Sequence, residues 1–356
     1  MNRFGNSYPK TIAVFRALQL GDLLCTVPTF RALRKAFPRS KITLIGLPWA
    51  KAFTERFHNY LDDFIAFPGY PGLRESTPQL KSIPIFLKSV QEKKFHAAIQ
   101  LHGSGSLTNP IVHLFGAQVT AGFFLPHEYC PDPYRFMPYP RSEHEIWRHL
   151  RLMEFLGISL QSDTLEFPIF QKDKRDFSAI KEMRYIQKGE YICIHPGAQL
   201  NTRRWLIERF ATVADTLADT GLKIILTGSE NEIRLTEGVK TTMRTPAINL
   251  AGRTSLGTLA ILLKNARLLI CNDTGVSHIG AALGVPSIVI ATGSDPSRWA
   301  PLDRKRHRVV HYPISCRPCS YLVCPIGHPC AAGVSTKTVI SQAKKLLQKD
   351  LHAKKI

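Results

Sequence analysis

The sequence predicts an α/β protein with two Rossmann-like, doubly wound domains that face a central cleft. The chain has 356 residues, which is long enough for two domain cores. Strand-like and helix-like runs alternate in both halves of the chain, as in a βαβ progression. The strand-like runs are continuously apolar, which indicates parallel sheets covered on both faces. Ligands of such sheets bind beyond the carboxyl ends of the strands, so the loops there are the candidate functional sites.

The first half of the chain contains four predicted strands and four predicted helices. The segment 123–140 carries five prolines, so we expect it to form a long loop. The segment 159–175 is expected to connect the two domains. The predicted strands are 11–18, 41–47, 63–67 and 96–101, and the predicted helices are 26–37, 50–60, 85–94 and 143–156.

The second half shows the same alternation with clearer boundaries. A serine at 255 is a typical N-cap, and glycines follow several of the helical runs. The stretch 337–356 predicts a helix that frays at Lys354 and Lys355. The predicted strands are 191–195, 222–227, 247–250, 268–272 and 287–291, and the predicted helices are 207–220, 230–243, 255–265 and 276–283.

The composition is that of a globular protein with a strong positive charge. Lys and Arg number 47 against 27 Asp and Glu, a formal charge of +20. Such a chain is expected to meet an anionic partner: nucleic acid, an acidic membrane surface or a phosphorylated substrate. The sequence shows no secretory signal pattern, and the longest apolar run, 279–294, is too short for a transmembrane helix. Eight cysteines in a chain of this length favour a reducing cytoplasm over a disulfide scaffold.

The first candidate motif is Gln19-Leu20-Gly21-Asp22-Leu23, which follows the first predicted strand. Gly21 allows a tight turn or a close approach to a ligand. Asp22 lies where a helix N-terminus favours a negative charge, so a plain helix cap is the alternative interpretation. No G-x-G-x-x-G follows the strand, and a dinucleotide site is therefore not indicated.

Basic residues follow the strand 191–195. His195-Pro196-Gly197-Ala198 breaks the strand, and Arg203-Arg204-Trp205 precedes the next helix. Guanidinium groups in this position suit a diphosphate, because they form charge-assisted bidentate contacts. The alternative is a solvated basic turn in which Trp205 anchors the core.

Two further strand ends carry acidic residues. Glu230, after Thr227-Gly228-Ser229, is expected either to accept hydrogen bonds from ribose hydroxyls or to cap its helix. In Cys271-Asn272-Asp273-Thr274-Gly275-Val276-Ser277-His278, a strand ends and a helix begins. Such a helix N-terminus binds phosphate without a metal. The alternatives here are that Asp273 is an N-cap and that His278 is a core histidine.

Four cysteines lie close together in the sequence C-x2-C-x4-C-x5-C. Four thiols at such spacing predict either a structural Zn or Fe site or a loop of reduced thiols. The spacing lacks the paired-knuckle regularity of common zinc ribbons. The candidates are Cys316, Cys319, Cys324 and Cys330.

The ordered set of strand-end motifs resembles glycosyltransferase family 9, the lipopolysaccharide heptosyltransferases. The resemblance runs from Gly21-Asp22 through His195–Ala198 and Arg203–Trp205 to Asp273–His278 and Gly284-Val285-Pro286. The cysteine loop is similar to one in the heptosyltransferase II-like branch. The resemblance implies a GT-B fold in which residues 1–170 bind the acceptor and 171–335 bind the nucleotide-sugar donor, followed by a helix and basic tail at 336–356.

The resemblance also implies roles for individual residues. Asp22 matches the catalytic base of the family, and Arg203 stands where the family usually has Lys beside the donor phosphates. Glu230 lies near the acidic residue for the nucleoside part. The expected donor-binding residues are His195, Gly197, Arg203, Glu230, Asp273, Thr274, Gly275 and His278, and the expected acceptor-binding residues are Gly21 and His102.

The expected function is an inverting, metal-independent transfer of heptose from ADP-L-glycero-D-manno-heptose to the inner core of lipopolysaccharide. No cofactor is expected for catalysis, and the expected location is cytoplasmic and peripheral at the anionic inner face of the inner membrane. The alternatives are another nucleotide sugar, a protein acceptor or a GT-B nucleotide-sugar epimerase. Nucleic-acid binding is disfavoured, because basic and aromatic residues do not interleave as in RNA-recognition motifs.

Overall fold

The computed structural model of the chain describes residues 3–4 and 8–353, with side chains of the last helix described to residue 348. The chain divides into two compact units, Met1–Thr164 and Leu165–Ile356. Each unit contains one six-stranded sheet in which all neighbouring strands are parallel. The predicted α/β class with two Rossmann-like sheets is confirmed.

The N-terminal unit has the strand order β3-β2-β1-β4-β5-β6. Its strands are β1 (Thr11–Phe15), β2 (Lys41–Gly46), β3 (Asp63–Ala66), β4 (Ala97–Gln100), β5 (Val119–Phe124) and β6 (Phe136–Pro138). Its helices are α1 (Leu20–Leu24), α2 (Val27–Ala36), α3 (Ala50–Arg56), α4 (Ile83–Gln91), α5 (Thr108–His113) and α6 (Glu145–Phe155).

The C-terminal unit has the strand order β12-β11-β10-β7-β8-β9. Its strands are β7 (Tyr191–His195), β8 (Lys223–Leu226), β9 (Ala247–Asn249), β10 (Leu268–Asn272), β11 (Ser287–Ala291) and β12 (His307–His311). Its helices are α7 (Gln171–Ser178), α8 (Ile207–Ala218), α9 (Ile233–Thr242), α10 (Leu256–Asn265), α11 (Gly275–Ala282), α12 (Pro296–Trp299), α13 (Pro329–Ala332) and α14 (Thr336–Ala353).

Each sheet is covered by apolar side chains, which explains why its central strands are continuously apolar. In the N-terminal unit, a cluster of phenylalanines packs beside β1, with Phe15 against Phe67 and Phe115 at centroid distances of 5.0 and 5.7 Å. In the C-terminal unit, Trp205 and Phe210 pack edge to face at 5.1 Å within a large aliphatic core. These two cores fix the strand ends that carry the candidate site.

The structure differs from the sequence predictions at two strands. The proline-rich segment 123–140 is not a continuous loop, because its first residues complete β5 and residues 136–138 form β6 at the sheet edge. An edge strand tolerates proline since one side of it makes no ladder hydrogen bonds. The strand β12 was also not predicted, because two histidines and an arginine interrupt its apolar pattern.

The segment 159–175, expected to join the domains, contains the boundary between the two units and also the start of α7. The expected fraying at Lys354 and Lys355 lies outside the described residues. None of the helices within the described ranges has the length and apolar character needed to cross a bilayer.

His307 on β12 predicts a pH dependence of stability. Its side chain is buried, and burial lowers its pKa to about 4. Between this value and the unfolded pKa of about 6.5, the unfolded chain binds more protons, so stability falls as the pH falls. We expect His307 to account for a loss of about 3 kcal/mol of unfolding free energy between pH 7 and 4.

Urea unfolding of the wild type and of His307→Asn across this pH range measures the effect. Asparagine retains a polar partner for the Ser287 hydroxyl, which lies 2.8 Å from Nδ1 of His307. The variant should lose the part of the pH dependence that His307 causes. Parallel pH profiles for the two proteins would contradict the prediction.

Candidate active site

In the N-terminal unit, Asp22 lies at the carboxyl end of β1, in the first turn of the short helix α1. Its Oδ2 accepts a hydrogen bond from the Gln19 backbone N–H at 3.1 Å, and the carboxylate therefore caps the helix. Its side chain is 20% exposed, so the carboxylate remains accessible from solvent. Capping fixes the orientation of the carboxylate and does not compete with a role toward substrate.

Arg16, at the end of β1, is buried beneath Asp22 and joins it to helix α6. Its Nε donates to the Asp22 carbonyl at 3.0 Å, and one Nη lies 3.8 Å from Oδ1 of Asp22. The same guanidinium donates to Oε1 of Glu145 at 2.9 Å and also bonds the Leu101 carbonyl. Glu145 in turn pairs with Arg148, and the side chains of Arg16, Glu145 and Arg148 are almost fully buried. This ionic cluster holds the turn around Asp22 on the sheet.

His102, a predicted acceptor-binding residue, follows β4 and stacks on Phe15 at a centroid distance of 5.3 Å. Its Nδ1 accepts a hydrogen bond from the Ala17 backbone N–H at 3.2 Å. The proton of a neutral ring then resides on Nε2, which lies 3.6 Å from the Glu75 carboxylate. The hydrogen bond from His102 lowers the pKa of Glu75 despite burial. The ring is thus oriented by contacts on both nitrogens, close to the segment that carries Gly21.

In the C-terminal unit, the loop after β7 is packed against an acidic residue that the sequence did not indicate. Oε2 of Glu232 lies 3.9 Å from Nε2 of His195, and a Cβ atom at Gly197 would collide with this carboxylate. Glu232 also accepts hydrogen bonds from the Ser229 N–H and hydroxyl, both at 2.8 Å. Ser229 and Glu232 thus form the helix cap that the sequence suggests for Glu230, and Glu230 itself is exposed.

The protonation of this pair follows from burial and charge. Burial lowers the pKa of His195. Burial by itself would raise the pKa of Glu232, but His195, the Ser229 hydrogen bonds and the charge of Arg204 hold it below its ordinary value. Glu232 is therefore an ionised carboxylate at neutral pH, positioned behind the loop 195–198.

Asn272 connects the two loops that carry the basic motif. It ends β10 and is fully buried. Its amide Nδ2 donates to the Pro196 carbonyl at 2.7 Å, and its Oδ1 accepts from the Trp205 N–H at 3.0 Å. The side chain thus sets the spacing between the loop after β7 and the segment Arg203–Trp205.

Two predicted donor-binding residues have buried polar atoms with no hydrogen-bond partner among the described residues. These atoms are Nε of Arg203 and Oδ2 of Asp273. Unsatisfied buried polar atoms are costly, and a ligand with complementary groups would satisfy them. Arg304 adds a further cation here: partial burial lowers its pKa, and the charge of Asp273 partly offsets this effect. Arg304 was not predicted from the sequence, because it does not directly follow a strand.

Thr274 is the N-cap residue of α11, and Gly275 begins this helix. The first turn of a helix presents backbone N–H groups without intrahelical acceptors, which suits a phosphate. His278 is buried in the same helix, and its ring lies 6.3 Å from that of Trp299. The structure thus gathers Asp273, Thr274 and Gly275 at the carboxyl end of β10.

The cysteine loop is held against this site through Thr202. His328 Nε2 lies 2.9 Å from the Thr202 carbonyl, and the Thr202 hydroxyl donates to the Tyr321 carbonyl at 2.7 Å. Among the side chains that the structure describes, no three His, Cys, Asp or Glu groups are placed so that they could hold a metal ion. The arrangement gives no support to the structural Zn or Fe site.

We expect Asn272→Ala to weaken binding of the nucleotide that the sequence predicts for these loops. The substitution leaves the buried Trp205 N–H without its acceptor and should cost about 1–3 kcal/mol of stability. Isothermal titration with ADP should show weaker binding, because the loop spacing is lost. Asn249→Ala is the matched control: its amide bonds Thr236 and Glu237 at the edge of the sheet. Equal ADP affinity in the wild type and Asn272→Ala would refute the role of Asn272.

The fold and these strand-end residues define the class of protein. The two doubly wound parallel sheets form the GT-B fold that solved heptosyltransferases have. The structure superposes on that of a family 9 glycosyltransferase from Veillonella parvula with a TM-score of 0.80, at 24% identity over 96% of this chain and 98% of the other. It superposes on ADP-heptose lipopolysaccharide heptosyltransferase II of E. coli with a TM-score of 0.74, at 20% identity over 96% and 99% of the two chains.

The sequence comparison gives the family. The model of glycosyltransferase family 9 (heptosyltransferase) matches residues 85–329, more than half of the chain, and the chain therefore belongs to this family. The match includes the expected donor-binding residues from His195 to His278 and begins after Asp22. Lipooligosaccharide heptosyltransferase 2 of Campylobacter jejuni is 26% identical over 58% of this chain, and the alignment covers 65% of the relative's length. The resemblance predicted from the motifs is confirmed.

Proposed function

We propose that the chain transfers a heptose from ADP-L-glycero-D-manno-heptose to the inner core of lipopolysaccharide. The observation that carries this proposal is the match to the heptosyltransferase family over the segment that contains the donor-site motifs. Relatives whose names specify lipooligosaccharide and lipopolysaccharide heptosyltransferases support the same substrate classes. The N-terminal unit supplies the base and binds the acceptor, and the C-terminal unit binds the donor.

The donor is held by the carboxyl ends of β7 and β10. Arg203 and the N-terminus of α11 meet the diphosphate, and Asp273 accepts hydrogen bonds from a sugar hydroxyl or from the nucleotide. The unsatisfied atoms of Arg203 and Asp273 support this assignment, because a bound donor supplies the missing partners. As the leaving group departs, the guanidinium and the helix N-terminus stabilise its growing charge without a catalytic metal.

The reaction is a single displacement that inverts the anomeric carbon. The acceptor hydroxyl oxygen forms the new bond to this carbon while the bond to the diphosphate oxygen breaks, and its electron pair leaves with ADP. The hydroxyl proton passes to the Asp22 carboxylate. The partial exposure of Asp22 and its fixed orientation support its role as base. An alcohol becomes acidic as the glycosidic bond forms, so a carboxylate serves as the base.

The proposed location is the cytoplasmic face of an anionic membrane, where a lipopolysaccharide precursor would be met. The charge of +20 supports this location, since each basic residue near such a surface contributes about 1 kcal/mol. Association that does not respond to salt would count against it.

Mass spectrometry of the products tests the proposal. The chain is incubated with ADP-heptose and truncated lipopolysaccharide acceptors, and in parallel with ADP-heptose alone. The expected product is acceptor with one added heptose, formed only when both substrates are present. A changed sugar in the donor-only reaction would favour an epimerase, and transfer only from another nucleotide sugar or only to protein would also overturn the proposal.

A further inference from the structure

The N-terminal unit contains a cavity that the proposed reaction does not yet use. Its volume is about 280 Å³, just below the range of about 300–1,000 Å³ that is typical of small-molecule sites. It lies between Pro48, which follows β2, Phe67, which follows β3, and Ser89 on α4. We call it the β3 cavity. It opens at the carboxyl edge of the sheet, where ligands of parallel sheets bind.

The β3 cavity combines aromatic and hydroxyl-bearing residues. Phe67 and Phe86 form part of its wall; both are buried, and their rings pack edge to face at 5.5 Å. Ser76 and Thr77 also line it, and their hydroxyl groups have no hydrogen-bond partner among the described residues. None of the described residues that line the cavity carries a charge.

This lining selects the chemistry of the ligand. A phosphate or carboxylate would lose water in the cavity without meeting a cation, which is costly. An acyl chain would cover the hydroxyls of Ser76 and Thr77 without supplying a hydrogen-bond partner. An uncharged sugar ring meets both requirements, because its hydroxyl groups bond polar side chains and its C–H groups contact aromatic ones. The volume accommodates one such ring.

The loop that lines the cavity also reaches the end of the sheet that carries Asp22. Oε1 of Glu75, the residue before Ser76, lies 3.6 Å from Nε2 of His102. His102 in turn accepts a hydrogen bond from the Ala17 N–H, shortly before Asp22 in the chain. The strand order β3-β2-β1 places β3 two interstrand spacings, about 10 Å, from β1. Neighbouring rings of one oligosaccharide can span this separation.

We propose that the β3 cavity binds an uncharged pyranose ring of the acceptor saccharide while a neighbouring ring presents its hydroxyl to Asp22. The hydroxyls of Ser76 and Thr77 bond the bound ring, and Phe67 and Phe86 contact its C–H groups. The inference rests on the proposed function and deepens it, because it names the part of the acceptor that this unit recognises.

Saturation-transfer NMR with the full chain tests the cavity. The probes are the methyl pyranosides of glucose, galactose and mannose, and glucuronic acid is the charged comparison. At least one methyl pyranoside should receive saturation, and glucuronic acid should bind more weakly. Ser82→Trp should abolish the signal by filling the cavity; Ser82 makes no side-chain cap bond to α4, so the fold should persist. Ser159→Trp is the matched control, since Ser159 is exposed and does not line the cavity.

A second variant removes one hydroxyl and keeps the shape of the side chain. Thr77→Val should weaken pyranoside binding about two- to tenfold, the effect of one neutral hydrogen bond. Thr212→Val is its control: this hydroxyl donates to the Glu208 carbonyl on α8 in the other unit, and its loss should leave binding unchanged.

Four results would overturn the proposal. These are no saturation of any methyl pyranoside, equal signals in Ser82→Trp and Ser159→Trp, equal affinities of Thr77→Val and the wild type, and glucuronic acid binding as tightly as the methyl pyranosides. Binding of decanoate that Ser82→Trp abolishes, without binding of any pyranoside, would assign the cavity to an acyl chain and overturn it as well.

These assays contain no donor. A chain that transfers heptose but binds no pyranoside in the β3 cavity disproves the cavity proposal alone. A chain that binds a pyranoside there but transfers no heptose disproves the proposed function alone.

Discussion

Asp22→Asn is expected to lower kcat about 100- to 10,000-fold, the contribution that a positioned general base typically makes. Asparagine has nearly the same shape, and its Oδ1 can still accept the hydrogen bond from the Gln19 N–H that caps α1. The fold around β1 should therefore persist. Donor affinity should also persist, because the proposed donor contacts all lie in the C-terminal unit.

Steady-state kinetics with saturating donor and acceptor measures the change in kcat. Titration with ADP measures whether the affinity for the donor nucleotide is retained. Asp132→Asn is the control: this aspartate also accepts from a backbone N–H, that of Tyr134, but lies in the loop before β6. Its kcat should stay close to that of the wild type. Near-normal turnover of Asp22→Asn would remove Asp22 from the role of base.

Glu145→Ala is expected to have the largest effect on stability. The carboxylate pairs with Arg16 and Arg148, which are 0 and 1% exposed, and its removal takes away the buried negative charge that the two guanidinium groups share. Breaking a buried ion pair in this way typically costs about 3–5 kcal/mol. Turnover should fall too, because Arg16 holds the backbone of Asp22.

Urea unfolding followed by circular dichroism measures the loss, with Glu154→Ala as the control on the same helix. Glu154 pairs with Arg151 at the surface, where solvent screens the interaction, so this substitution should leave the unfolding midpoint unchanged. If the two substitutions shift the midpoint equally, the cluster beneath Asp22 does not stabilise the unit.

The sequence predicted best where a single local pattern decides the structure. The strands 191–195, 268–272 and 287–291 match the structure to the residue, because each is a buried apolar run ended by a strong turn signal. The sequence did not predict β6, because prolines within a strand are tolerated only at a sheet edge. It did not predict β12, because polar and charged residues flank its two valines. Whether a polar segment forms an edge strand depends on the strand with which it pairs in the folded protein.

The residues of the candidate site show the same difference between local patterns and contacts that form only in the fold. Asp22 and Asp273 were predicted from the sequence because each lies in the segment that follows a strand. Asn272, Thr202 and Glu232 take their roles from contacts with residues distant in the chain: Asn272 bonds Pro196, and Thr202 bonds Tyr321. Such partnerships leave no signature in local spacing, so a single sequence does not predict them.

The close approach of Glu232 to Gly197 has an evolutionary consequence. A Cβ atom at position 197 would lie 2.1 Å from Oε1 of Glu232, so a side chain there requires this carboxylate to turn away. Turning away would separate the carboxylate from His195 and from Ser229. We therefore expect the residues at 197 and 232 to covary among descendants of this gene.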